Sequence, residues 1–429
     1  MISGEVAPRP DGARRRVGVV GAGILGLAVA RRLAEVCGDE VTVFEKEPEV
    51  AAHQTGRNSG VVHSGLYYKP GSLKAVLCRR GVELLREFCS EKGLEYREIG
   101  KVVVARDAME VERLRDLQAR AQANGVPGIA WLEPDALREI EPNVRGVAAL
   151  HSPTTAIVDY RAVARALADD VAASGGKLLL GQGVTDIRPE RGGVVVYCGA
   201  EKSGGNKSGG DKSGGAGERH AFDHLVLCAG LHSDTLARRA GDDKGPAIVP
   251  FRGEYFRLVP QRADLVRGLV YPVPDPAYPF LGVHLTPRVD GSVDVGPNAV
   301  LALAREAYRR RDMSPRDLLG TLTWPGALRL FAKHWRMGVH EMYGSLSKRA
   351  FTEAARAYVP DLTPADLVRA PAGVRAQAVD RDGGLVDDFR ISFLGPVTAV
   401  RNAPSPGATS SLAIAAHVVD RLLERQSGC

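Results

Sequence analysis

The chain has no apolar run approaching the roughly 20 residues needed to cross a bilayer, so no transmembrane segment is expected. The segment 1–16 lacks the apolar centre of a secretory signal, and Glu5 and Asp11 argue against a mitochondrial presequence. Cysteine is sparse. Cys37, Cys78, Cys89, Cys198, Cys228 and Cys429 form no CxxC pair and sit mostly in apolar contexts. That excludes a disulfide scaffold and predicts reduced packing cysteines in a cytoplasmic protein. Metal clusters are missing too. His220 and His224 have a spacing that suits a helix, but they lead into a strand, where i and i+4 lie too far apart to share an ion. The one basic cluster, Arg14-Arg15-Arg16, is too short for a nucleic-acid tract and lacks interleaved aromatics. The net charge of +6 suits a protein that handles small anions. Peripheral contact with a membrane surface stays open.

What is present is concentrated near the N-terminus. An apolar strand, Val17-Gly18-Val19-Val20, runs into Gly21-Ala22-Gly23-Ile24-Leu25-Gly26. A helical stretch and a second strand, Val41-Thr42-Val43-Phe44, follow, and that strand ends on Glu45 and Lys46. This is a βαβ dinucleotide fingerprint in its proper setting. Gly21 permits the turn, Gly23 lets a pyrophosphate approach the backbone, and Gly26 lets helix and strand pack closely. The helix start, with Ile24 and Leu25, offers free N–H groups to phosphates. Glu45, about 20 residues past the last glycine, can accept from a ribose hydroxyl.

The next stretch, His53-Gln54-Thr55-Gly56-Arg57-Asn58-Ser59-Gly60-Val61-Val62-His63-Ser64-Gly65-Leu66-Tyr67-Tyr68-Lys69-Pro70-Gly71-Ser72-Leu73-Lys74-Ala75, is rich in glycine and small polar residues. Such a segment can run close to a large flat ligand. Here the sequence resembles the L-2-hydroxyglutarate dehydrogenase/oxidase family, FAD enzymes of the D-amino-acid-oxidase-like superfamily. Further matching motifs are Phe251-Arg252-Gly253-Glu254-Tyr255, Gly282-Val283-His284-Leu285-Thr286-Pro287-Arg288, Gly373-Val374-Arg375-Ala376-Gln377 and Asn402-Ala403-Pro404-Ser405-Pro406. The likeness extends from about residue 17 to about 423. One departure is Arg57, at a position commonly histidine in the family, which leaves substrate identity open.

The resemblance implies an α/β fold: a discontinuous Rossmann-like FAD-binding domain plus a substrate domain with an antiparallel sheet and helices. Residues 17–90, 150–240 and 370–425 are expected in the first, 91–149 and 241–369 in the second, with 1–16 a flexible N-terminus. Residues 202–215 repeat KSGG three times and read as a flexible surface loop. FAD is expected without a covalent link. Thr55, Arg57, Asn58, Ser59 and His63 would lie along it, with Val184 at the adenine and Ala229-Gly230 beneath the nucleotide. Gly373 and Arg375 would approach it from the substrate side, and Gly407-Ala408-Thr409 would open a helix pointing at the flavin.

The implied reaction is oxidation of L-2-hydroxyglutarate, an L-2-hydroxy dicarboxylic acid, to 2-oxoglutarate by hydride transfer to flavin N5. An amino-acid oxidase of the same superfamily, or a related hydroxy-acid oxidase with an altered substrate, is the alternative. Either chemistry needs a base, and histidine is the natural one near neutral pH. His284 is the first candidate and His63 the second. Arginine forks suit carboxylates, which nominates Arg252, Arg288 and Arg375, with Tyr255 and Tyr67 as hydroxyl donors. Oxygen, a quinone or an electron-transfer protein would accept the electrons.

Overall fold

The computed structural model describes residues 14–199, 218–276 and 281–427. The KSGG repeat and the segment 1–13 lie outside them. Two large sheets organise the rest. The first has six strands in the order Arg390–Leu394, Val397–Asn402, His224–Leu227, Arg16–Val20, Glu40–Phe44 and Lys177–Leu179. Its pairings are parallel, except for the antiparallel hairpin at the C-terminal edge. Val17, Val19, Val41 and Val43 are fully buried, as expected of parallel strands covered on both faces. One face packs against helices Ile24–Cys37, Leu73–Glu91, Tyr160–Ala173 and Ser411–Ser427. The other carries Val20, Phe44, Leu225 and Leu227 against the small antiparallel sheet Gly183–Glu190, Gly193–Gly199 and Glu218–Phe222.

The second sheet has nine strands and is antiparallel except where Leu269–Pro272 runs parallel to Lys101–Ala105. Helix Lys348–Arg356 covers part of one face through Phe351 and Ala355, and helix Ala108–Ala123 covers the other through Leu114, Leu117 and Ala121. Two of its strands fall across the expected segment limits. Ala148–Ser152 pairs with Lys101–Ala105, and Leu367–Val379 pairs along nearly the whole of Ala247–Leu258. The segment 370–379, expected in the cofactor unit, therefore lies in the second sheet. A strand of this length is satisfied by an equally long partner, and Ala247–Leu258 is one. Helices Pro315–Leu322 and Pro325–Leu346 begin at prolines, whose missing N–H costs nothing in a first turn. No described helix is long and apolar enough to cross a membrane.

His224 begins a central strand of the first sheet, with its Nε2 2.9 Å from Thr398 Oγ1. Burial, aided by Arg15, lowers its pKa to about 3. His284, in the second sheet, is likewise lowered to about 3, chiefly by burial. Below pH 6.5 the unfolded chain therefore binds protons that the folded chain refuses, so stability falls as pH falls, from about 6.5 towards 3. Each such group weakens the fold by on the order of 1 kcal/mol per pH unit in that window. The melting temperature should drop steadily between pH 7 and 5, and His224→Asn should reduce that slope. A flat profile would contradict it.

Candidate active site

A cavity of about 1570 Å³ runs between the two sheets. At one end lie Gly21, Gly23, Ile24 and Leu25, with Glu45, Lys46 and Val184 beside them. Gly21 has a φ of +103°, and a Cβ there would stand 2.5 Å from the Cys228 carbonyl oxygen. Gly26 sits just beneath the cavity floor, where a Cβ would meet the Gly21 carbonyl oxygen at 1.9 Å. Both positions therefore need glycine. The helix that follows starts at Gly23 with no side-chain cap and no acid in its first turn. Its N-terminus is left positive and open to an anion. Thr55 Oγ1 accepts from the Ile24 N–H at 3.0 Å, which ties the 53–60 loop to this helix.

Glu45 accepts from the N–H of Ala22 at 2.8 Å and of Glu47 at 3.0 Å. A carboxylate offers about four acceptor positions, so it retains capacity for a ligand hydroxyl. Lys46 Nζ lies 2.9 Å from both Glu306 Oε1 and His53 Nε2, and also contacts Glu47. Glu47, His53 and Glu306 are close enough to hold a metal ion, but the Lys46 ammonium already supplies the cation among them. Arg57 stacks its guanidinium 4.2 Å from the centre of the Tyr308 ring and donates to the Ala52 carbonyl. Asn58 donates to the carbonyls of Gln54 and Thr55 and accepts from Gly60, which shapes the loop from within. Ser59, Ala229 and Gly230 also line the cavity. Gly373 runs against the Arg57 carbonyl.

The other end is lined by His63, Tyr67, Tyr255, Tyr271, His284 and Arg375. Residues 402–409 complete the wall, ahead of helix Ser411–Ser427. Thr409 Oγ1 accepts from the His63 N–H at 3.1 Å, and the Tyr160 hydroxyl lies 3.0 Å from it. His63 Nε2 lies 3.2 Å from Ser405 Oγ, while its Nδ1 is buried with no partner among the described residues. His284 Nδ1 lies 2.9 Å from the Gly282 carbonyl oxygen. A carbonyl only accepts, so Nδ1 carries the hydrogen and Nε2 of the neutral ring is left as a base. Burial, then the charges of Lys101 and Arg375, keep that ring neutral. Burial and Lys101 do the same for His63. Arg375 lines the cavity, and burial lowers its pKa. Tyr255, next to it, is pushed up to about 12 by burial, so its phenol keeps its proton.

Two expected carboxylate anchors stand apart from this group. Arg252 does not line the cavity. It is buried, 3.1 Å from Glu254 Oε1, and it donates to the Arg309 carbonyl. Arg288 donates to Asp294 and to the Asn58 carbonyl, both at 3.0 Å. Each is already answered by a carboxylate of the chain. Two residues escaped the sequence reading: Tyr271 at the cavity end, whose ring lies tilted against His284 with centres 4.0 Å apart, and Lys101, buried behind it.

Comparison with known proteins agrees with this geometry. The family described as FAD dependent oxidoreductase matches residues 16–421. The mitochondrial L-2-hydroxyglutarate dehydrogenase of Nematostella vectensis is 45% identical over 95% of this chain and 90% of its own length. The human mitochondrial enzyme of that name is 43% identical over 95% and 88%, and the L-2-hydroxyglutarate dehydrogenase of Escherichia coli K12 is 43% identical over 94% and 92%. Among solved structures, the L-α-glycerophosphate oxidase of Mycoplasma pneumoniae with FAD bound superposes with a TM-score of 0.75 at 24% identity, covering 96% and 95% of the two chains. Glycine oxidase from Geobacillus kaustophilus gives 0.67 at 20% identity, over 96% and 95%. At such identities the structures speak for the fold alone. A helix start without an acid in its first turn behind an obligatory glycine turn, spare acceptor capacity on Glu45 and a long cavity suit an extended dinucleotide, and this chain belongs to the FAD-dependent oxidoreductase family.

Proposed function

We propose that the protein oxidises L-2-hydroxyglutarate to 2-oxoglutarate, with the first sheet and its helices holding FAD and the second sheet shaping the substrate end. The carrying observation is the group His284, Arg375 and Tyr255 on one cavity wall, with His284 fixed as the tautomer that accepts at Nε2. FAD, held without a covalent link, supplies the hydride acceptor. Gly21, Gly23 and the Leu25 N–H would receive the pyrophosphate over Gly26, beside the Ile24 N–H that Thr55 Oγ1 holds. Glu45 and Lys46 take the ribose, and Val184 with Ala229-Gly230 encloses the adenosine. Thr55, Arg57, Asn58, Ser59 and His63 would run along the flavin side, closed by Gly373 and by the turn Gly407-Ala408-Thr409 that leads into helix Ser411–Ser427. The dipole of that helix would favour negative charge on a ring bound there.

The reacting groups then divide the work. Arg375 forks onto the carboxylate beside the alcohol, and Tyr255 donates its hydroxyl to the same group. This orients the substrate C–H. His284 Nε2 takes the hydroxyl proton as the C–H bond breaks. Burial and two cations depress this base in the free protein, and a bound carboxylate raises it again, so it strengthens when substrate arrives. His63, with Nδ1 unpartnered among the described residues, holds the opposite wall, and Tyr67 contributes a hydroxyl. Arg252 and Arg288 keep the strand and the 53–60 loop in register through Glu254 and Asp294.

Anaerobic mixing tests the reading. L-2-hydroxyglutarate should bleach the flavin band much faster than D-2-hydroxyglutarate, L-lactate or L-glutamate. Equal or faster bleaching by L-glutamate would favour an amino-acid oxidase. No bleaching by any of the four would overturn the substrate assignment and turn attention to Arg57.

A further inference from the structure

Recognition of a dianion needs a second positive charge, and with Arg252 and Arg288 already paired the cavity wall does not supply it through them. A buried cation stands one layer back, behind the cavity wall. Strand Lys101–Ala105 is buried at every position. Lys101 opens it and is 1% exposed. Register sets Lys101 beside Leu269, with Tyr271 two positions further along the same face. Lys101 Nζ consequently lies 4.2 Å from the centre of the Tyr271 ring and 5.3 Å from that of Tyr67. Both rings line the cavity and Lys101 does not. The Tyr67 hydroxyl is buried without a partner among the described residues. Among those residues no carboxylate pairs with Lys101, and the Cys78 thiol beside it is neutral, pushed up to about 12 by burial.

We propose that Lys101 determines specificity for the second carboxylate of a dicarboxylic substrate, as a buried positive charge behind the Tyr67–Tyr271 wall. This rests on the dicarboxylate reading above. Lys101 supplies charge, not contact, and so acts through the two tyrosines. A lone buried ammonium is costly, and aromatic faces offset only part of that cost. Burial accordingly lowers its pKa to about 7. A second carboxylate across the rings restores the balance, and at an effective dielectric of about 20 the attraction over such distances is worth roughly ten- to hundredfold in affinity.

Binding of glutarate and pentanoate to the holoenzyme tests this without turnover. The two share a five-carbon chain but carry two charges and one. The native protein should prefer glutarate clearly, read by perturbation of flavin absorbance and by calorimetry. Lys101→Met should weaken glutarate roughly ten- to hundredfold and leave pentanoate within about twofold, while Lys101→Arg retains most of the preference. If the Met variant does not load FAD, Lys101→Gln carries the same comparison. Equal weakening of both ligands, an Arg variant as poor as Met, or no glutarate preference in the native protein would each overturn the assignment. Selective glutarate binding without oxidation of L-2-hydroxyglutarate would sink the activity reading alone. Oxidation with unselective binding would sink this one alone.

Discussion

His284→Ala should slow reduction of the bound flavin by substrate about 10²–10⁴-fold, the usual contribution of a positioned base, while the protein stays yellow. The reason is local. Gly282 takes the Nδ1 hydrogen, so Nε2 is the free acceptor at the substrate end of the cavity. Alanine removes that acceptor and leaves Arg375, Tyr255 and the glycine loop in place. The loss belongs to the reductive half-reaction, which rapid anaerobic mixing isolates, and reoxidation should run at the native rate. Native-rate reduction in the variant would pass the role to His63.

Gly26→Ala should have the largest effect on the cofactor itself. The new methyl carbon would stand 1.9 Å from a backbone oxygen of Gly21, which cannot rotate away. Either the helix Ile24–Cys37 moves off the strand or the turn at Gly21 opens, and both spoil the phosphate end of the cavity. Overpacking of this kind costs roughly 1–3 kcal/mol or more, which is about five- to hundredfold or beyond in FAD affinity. Gly199→Ala, where nothing lies within 4 Å of the added carbon, is the matched control and should keep full flavin content. Stoichiometric FAD with native affinity in the Gly26 variant would refute the packing argument.

The βαβ fingerprint was readable because its chemistry is local: the turn, the helix start and the acid all fall between Gly21 and Glu45. The arginines were harder. A strand setting hints that Arg252 is buried and Arg288 half-buried, not what answers their charge. Yet a signal was there, since Arg252 and Glu254 are two apart on one strand and share a face, and that spacing fits the ion pair observed. Lys101 went unread. A lysine heading the run Val102-Val103-Val104 reads as the wet edge of a strand. Only the parallel pairing with Leu269–Pro272, a strand far along the chain, encloses it. Strand Leu367–Val379 was misplaced for a similar reason, because sequence shows alternation but not the partner.

The six-stranded sheet has a consequence for how the protein comes into being. Arg16–Val20 lies at its centre, yet His224–Leu227 is its neighbour on one side, and Val397–Asn402 follows that. Arg16–Val20 must wait for His224–Leu227, more than two hundred residues further along, and that strand in turn for Val397–Asn402. The wall at residues 402–409 and the helix from Ser411 come later still. Closing such distant pairs is intrinsically slow and leaves apolar edges uncovered meanwhile. The wall of the cofactor cavity is thus complete only once residues 402–409 have joined it.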